Sequence, residues 1–78
     1  MIIRYFAGAA EAAGRSEQTA DGSAAVGDLK ARLSGELGPE FERVLSCCSI
    51  LVDGVRATDE TVAAADATVD VLPPFAGG

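Results

Sequence analysis

The sequence predicts an α+β fold, a mixed sheet of about five strands with one main helix packed on one face. Three observations carry that prediction. Strand-forming runs stand at both ends of the chain, at Ile2 to Phe6 and at Val69 to Leu72. Between them Val26, Leu29, Leu33 and Leu37 form one apolar stripe at helical spacing. The chain has 78 residues, room for one helical layer on one sheet and a single thin core.

Each element has its own local signal. Ile3 and Tyr5 share one face of the first strand, and Ile2, Arg4 and Phe6 share the other. Ala7 to Gly14 is small and alanine-rich, and reads as a loop with about one helical turn that stops at Gly14. Ser16 to Ala20 reads as a weak, polar edge strand, followed by turn chemistry at Asp21-Gly22. Ser23 is the expected N-cap of the main helix. Asp28, Lys30, Arg32 and Glu36 fall off the stripe and face water. Gly27 and Gly35 each weaken this helix by about 1 kcal/mol relative to alanine, so packing must hold it.

Gly38-Pro39 ends the helix, with glycine expected in a left-handed cap. Pro39 opens a second short helical segment. Glu40 and Glu42 suit its N-terminus, and Phe41, Val44 and Leu45 form its apolar face. Cys48, Ile50 and Val52 read as the buried face of a third strand. Asp53-Gly54 is a hairpin signal, so Val55 to Ala57 returns antiparallel. Thr58 to Asp66 reads as a turn with little regular structure, capped by Thr61 or Asp59 and anchored by Val62. Val69 and Val71 share a face of the last strand, and Phe6 and Phe41 are the expected large core pieces. With the first and last strands central and parallel, the helix covers one face of the sheet, a β-grasp arrangement. Residues 1–72 form the domain and residues 73–78 an extended tail.

Composition narrows the function. Twelve acidic residues against six basic ones give a net charge of −6. Binding phosphates needs clustered Lys and Arg, so nucleic acid is not an expected partner. Arg4, Arg15, Arg32, Arg43 and Arg56 are scattered, and Lys30 is the single lysine. An acidic surface suits a partner with a basic patch, and serves solubility equally well. No signal peptide and no run of membrane-spanning length is present, so the expected location is the cytoplasm, with no membrane partner. Adjacent Cys47 and Cys48 make a poor framework disulfide and fit a reducing compartment.

Most catalytic chemistry is missing. There is no histidine, so Ser-His and Cys-His nucleophile activation are ruled out. Cys47 and Cys48 lack the spacing of a zinc site, and no metal or bound cofactor is expected. Gly8 and Gly14 lack the strand-to-helix context of a phosphate loop. Glu40, Glu42, Asp59 and Glu60 read as solvated or helix-start acids. The chain alone is not expected to catalyse a reaction.

The terminus remains. Val69 to Leu72 runs into Pro73-Pro74, then Phe75, Ala76, Gly77 and Gly78. A terminal Gly-Gly leaves a carboxylate with no side chain nearby, able to thread a narrow channel and be attacked at its carbonyl. Its bland alternative is an unstructured tail or a cloning remnant. Adenylation with ATP would give that carboxylate a leaving group, and a sulfur nucleophile could displace it. Six residues from Pro73 span roughly 20 Å at ~3.3 Å each, enough to reach the bottom of a deep pocket. The prolines have fewer unfolded conformations to lose and turn the tail away from the sheet ladder. Phe75 either anchors in a partner pocket or packs on the domain edge. Outward Leu51 is a candidate interface residue, or an ordinary exposed leucine.

The segment Leu72-Pro73-Pro74-Phe75-Ala76-Gly77-Gly78 resembles the C-terminal signature of the small subunit of molybdopterin synthase. That subunit is a ubiquitin-like sulfur carrier related to the thiamine-biosynthesis carrier. The opening strand, Ala7 to Gly14, the helix stripe and Val52-Asp53-Gly54 extend the resemblance along the chain. It implies that a partner similar to ubiquitin-activating enzymes uses ATP to adenylate Gly78. A sulfurtransferase or cysteine desulfurase then supplies sulfur, giving a Gly78 thiocarboxylate. It further implies a heterotetramer with the large synthase subunit, where the tail donates sulfur to cyclic pyranopterin phosphate in molybdenum cofactor biosynthesis. Gly78 is the reacting residue, Gly77 and Ala76 thread, and Phe75, Pro74 and Pro73 contact the partner. Asp66-Ala67 stands where the family often has a Gly-Asp turn. Two alternatives stay open: a carrier for thiamine, cysteine or tRNA thiolation, and a ubiquitin-like protein modifier or binding module.

Overall fold

The computed structural model describes residues 1–74. In chain order the elements are β1 (Ile2–Tyr5), α1 (Gly8–Ala13), β2 (Glu17–Thr19), β3 (Ala24–Ala25), α2 (Val26–Leu37), α3 (Pro39–Leu45), β4 (Ser49–Val52), β5 (Val55–Arg56), β6 (Val62–Ala63) and β7 (Thr68–Leu72). The main sheet has five strands in the order β2-β1-β7-β4-β5. β1 and β7 pair in parallel, and the other neighbours are antiparallel. This mixed sheet, with its helices over one face, is a β-grasp fold.

Period-two alternation decides which side is covered. Ile3, Tyr5, Ile50, Val69 and Val71 lie buried on the inner face, packed with Val26, Leu29, Leu33, Phe41 and Leu45 from the helices. Phe41 is fully buried and meets Tyr5 edge-on, with ring centroids 5.5 Å apart at 85°. That is a favoured aromatic geometry. Phe6, expected in the core, is 38% exposed. One residue beyond Tyr5 on a period-two strand, it points to the open side, and Tyr5 takes the core position beside Phe41.

Several local expectations change. Ala7 to Gly14 holds a six-residue helix rather than one turn, with Ala9 and Ala13 buried and Gly14 in the left-handed region at φ 74°. Ser23 is not the cap of α2. Ala24 and Ala25 first pair with Ala63 and Val62 as a two-stranded ribbon, and the helix begins at Val26. Its first N–H groups find backbone partners instead: Val26 N donates to Thr61 O at 2.8 Å and Gly27 N to Asp59 O at 2.9 Å. So the 58–66 segment is an ordered cap, not an irregular turn. Within it Thr61 Oγ1 accepts from Thr58 N at 3.0 Å, a reach back onto the first N–H of the turn rather than an N-cap bond. Val62 is 64% exposed and Ala63 is the buried anchor, again the opposite phase of a short strand.

Gly38 ends α2 at φ 97°, ψ 176°, not in the left-handed helical cap. The following proline disfavours a helical ψ at this residue and pushes it to extended values. Combined with positive φ, that region is essentially glycine-only. The hairpin expectation holds: Asp53 at φ 50° and Gly54 at φ 83° join β4 to β5.

Candidate functional site

The site begins with the strand that carries the tail. β7 lies at the centre of the sheet, clamped between β1 and β4. Its last residue, Leu72, faces Ser49 in register, and Phe6 N donates to Val71 O at 3.2 Å. The ladder stops at Pro73, which has no N–H to donate. Leu72 and Pro73 are half-buried and Pro74 is exposed. The stem is therefore fixed by the best-supported strand in the fold. Phe75, Ala76, Gly77 and Gly78 lie outside the described residues.

Around that exit lies the open face of the sheet. Strand register puts Glu17, Arg4, Asp70, Leu51 and Arg56 in one row across all five strands. Arg4 Nε donates to Asp70 Oδ1 at 2.7 Å and Nη2 to Oδ2 at 2.9 Å. This is the two-pronged arrangement that guanidinium and carboxylate planes favour. Asp70, through its hydrogen bond and its charge, raises the Arg4 pKa still further. The Arg4 guanidinium also sits 5.6 Å from the centre of the Phe6 ring, within cation–π range. Leu51 is half-buried beside Asp70, on the open face as expected, and Ile2 is 42% exposed there. The result is a partly apolar surface with one ordered ion pair at its centre, next to the stem.

The sequence reading placed Arg4 and Leu51 on this face but did not connect Arg4 to Asp70. The available signal was Asp70 itself. A carboxylate between Val69 and Val71 in a central strand must find a partner when buried. Both cysteines precede β4. Cys47 is exposed and Cys48 partly buried. Cys48 Sγ donates to Val44 O at 3.2 Å, and burial, followed by neighbouring Cys47, pushes its pKa up. Cys48 is thereby made less nucleophilic, not more.

A small β-grasp domain with a proline stem on its central strand defines a ubiquitin-like class of protein. The model of the ThiS family matches residues 3–78, and the chain belongs to that family. No curated protein matches it. Among solved structures it is similar to SAMP1 from Haloferax volcanii, at 32% identity and a TM-score of 0.80, covering 100% of this chain and 98% of that one. A second structure, H. volcanii small archaeal modifier protein 1, is 30% identical with a TM-score of 0.77, covering 96% and 97%. A chain assigned as molybdopterin converting factor, subunit 1, from Pyrococcus furiosus has a TM-score of 0.71 over 95% of each chain. At 20% identity that last likeness speaks to the fold. Among the described residues, no helix is long and apolar enough to cross a membrane.

Proposed function

We propose that this chain is a sulfur carrier, the small subunit of a molybdopterin synthase, whose reacting group is the carboxylate of Gly78. The observation that supports this most is the stem. A rigid double proline leaves the end of a central, clamped strand, in a chain of the ThiS family that ends in Gly-Gly. ATP, bound by a separate adenylyltransferase, would convert the carboxylate to an acyl-adenylate with loss of pyrophosphate. A persulfide from a sulfurtransferase or cysteine desulfurase then attacks the carbonyl and AMP leaves. Reduction of the acyl disulfide by a thiol frees the Gly78 thiocarboxylate. The tail carries that sulfur into a large partner subunit and delivers it to cyclic pyranopterin phosphate. Arg4, Leu51 and Phe6 offer the surface that seats the domain while the tail enters the partner. Co-purification of the chain with a larger subunit, and sulfur transfer by the pair, test this reading. A complex that transfers sulfur equally well without Gly78 would exclude it.

A second reading is a protein modifier joined through Gly78 to lysines of other proteins. It is favoured by one observation: the two modifier structures are 32% and 30% identical to this chain, against 20% for the molybdopterin converting factor subunit. Both readings share the adenylated Gly78. They part at the nucleophile, sulfur in one and an amine in the other. Branched peptides bearing the tail of this chain on other proteins would support the modifier.

A further inference from the structure

Release of a thiocarboxylate from an acyl disulfide needs a thiol, and the two thiols of this chain stand where the tail leaves the sheet. Cys47 and Cys48 immediately precede β4, whose first residue, Ser49, pairs antiparallel with Leu72, the last residue of β7. The chain thus enters β4 at the same end of the sheet at which Pro73 and Pro74 depart. The turn that carries the thiols is fixed through its backbone: Cys47 N donates to Val44 O at 3.0 Å and Cys48 N to Leu45 O at 2.9 Å. Four residues follow Pro74. A four-residue turn brings its ends within about 7 Å, and glycine accepts the backbone angles that such turns demand. The length and composition of the tail therefore allow Gly78 to return to the exit.

The two thiols are unequal. Cys47 is exposed, whereas Cys48 is partly buried and donates to Val44 O at 3.2 Å. An incoming disulfide meets Cys47 first, with Cys48 as the next residue beside it. Adjacent Cα atoms lie about 3.8 Å apart, closer than the roughly 4.4–6.8 Å usual for a disulfide. A bond between these two cysteines is therefore strained and easily reduced, which suits a bond made and broken in each turnover.

We infer that Cys47 and Cys48 together release the Gly78 thiocarboxylate of their own chain, Cys47 as the attacking thiol and Cys48 as the resolving one. The inference rests on the sulfur-carrier reading, in which Gly78 passes through an acyl disulfide with a cysteine of the sulfur donor. Cys47 loses its proton to water, and its sulfur attacks the donor-side sulfur of that acyl disulfide. A sulfur–sulfur bond forms between Cys47 and the donor, the sulfur–sulfur bond of the acyl disulfide breaks, and the thiocarboxylate leaves with the electron pair. As a weaker base than a thiolate, the thiocarboxylate is the better leaving group. Cys48 then attacks Cys47 Sγ, and the departing donor thiolate takes up the Cys48 proton. Two cysteine thiols are oxidised to one disulfide while the acyl disulfide is reduced, so release consumes no outside reductant. A cellular dithiol returns the pair to thiols before the next cycle.

The test supplies the full-length chain with ATP, the activating enzyme and a persulfide-loaded sulfur donor from the same organism, with no added thiol. Products are read by intact mass after acid quenching. Wild type should gain sulfur in place of oxygen at Gly78 and lose two hydrogens, mapped to Cys47 and Cys48. Cys47→Ser should form at least tenfold less thiocarboxylate and stall as an adduct of Gly78 with the donor, and dithiothreitol should restore the yield. Cys48→Ser should stall instead as a disulfide between Cys47 and the donor. A melting midpoint of Cys47→Ser equal to wild type excludes misfolding as the cause of its loss. Thiocarboxylate formed by Cys47→Ser at the wild-type rate without added thiol overturns this assignment alone. Wild type that forms none, even with dithiothreitol, overturns the sulfur-carrier reading and this assignment together.

Discussion

Arg4 and Asp70 join the two parallel strands of the sheet by a pair of hydrogen bonds, Nε to Oδ1 at 2.7 Å and Nη2 to Oδ2 at 2.9 Å. The two partners are unequal. The Asp70 side chain is 11% exposed and that of Arg4 is 49% exposed. Removing the arginine strands a nearly buried carboxylate, whereas removing the carboxylate leaves a cation that can turn into water. Arg4→Met should therefore lower the urea midpoint more than Asp70→Asn. Equal losses, or the reverse order, would contradict the pairing described.

The same asymmetry shows what the sequence could disclose. Alternation assigned the faces of β1 and β7 correctly, because a strand with one buried face must repeat every two residues. The helical stripe on α2 was equally legible, with Val26, Leu29 and Leu33 all buried. Contacts between distant segments were not. Asp70 meets Arg4 across 66 positions, and the cap of α2 comes from the backbone of Asp59 and Thr61. A backbone cap leaves no side-chain signature, so Ser23 was the better-looking but wrong choice. Phe6 was misplaced for a simpler reason: its size argued for the core while its phase argued for the surface, and phase won. In the candidate site, the position of the prolines at the end of β7 and the outward face of Leu51 were readable, but the Arg4–Asp70 pair that orders the surface was not.

Three glycines in or beside α2 should respond differently to alanine. Gly35 has open space where a Cβ would stand, so Gly35→Ala should stabilise the fold by about 0.5–1 kcal/mol. Gly38 sits at φ 97°, ψ 176°, so Gly38→Ala should cost about 1–3 kcal/mol. Gly27 lies between these cases, because its Cβ would come within 3.1 Å of the Asp59 Cβ. Chemical denaturation of the three variants measures the order, and a stabilising Gly38→Ala would refute the backbone geometry.

Tyr5 gives a pH-dependent signal that no other residue can mask, since the chain has one tyrosine and no tryptophan. Burial, partly offset by Arg15, pushes its pKa up to about 12 from an ordinary 10.0. The folded state thus holds the phenolic proton more tightly than the unfolded chain does. That contribution is complete below pH 10 and is lost as the pH rises towards about 12. Allowing for solvent near the hydroxyl, the loss should be about 1–2 kcal/mol. Tyrosinate absorbance should titrate near the higher value in the folded protein and near the ordinary one in urea. The excess alkaline destabilisation should be absent in Tyr5→Phe.

Leu51 tests whether the open face seats a partner. Leu51→Glu adds a charge beside Asp70 on a half-buried position and should weaken complex formation at least tenfold. The cost in stability should stay within about 1–3 kcal/mol, as for an imperfectly satisfied charge near the surface. Unchanged affinity for the proposed large subunit would remove Leu51 from the proposed interface.

The central claim is that the reactive group of this protein is its terminal carboxylate. Intact mass spectrometry of the chain isolated from cells with an active sulfur-delivery system addresses it directly. A fraction of the chains should be heavier by the difference between sulfur and oxygen, with the change mapped to Gly78. A chain without Gly78 should fold and melt like the wild type but never show that shift. Sulfur transfer by chains whose Gly78 is blocked as an amide would contradict the account.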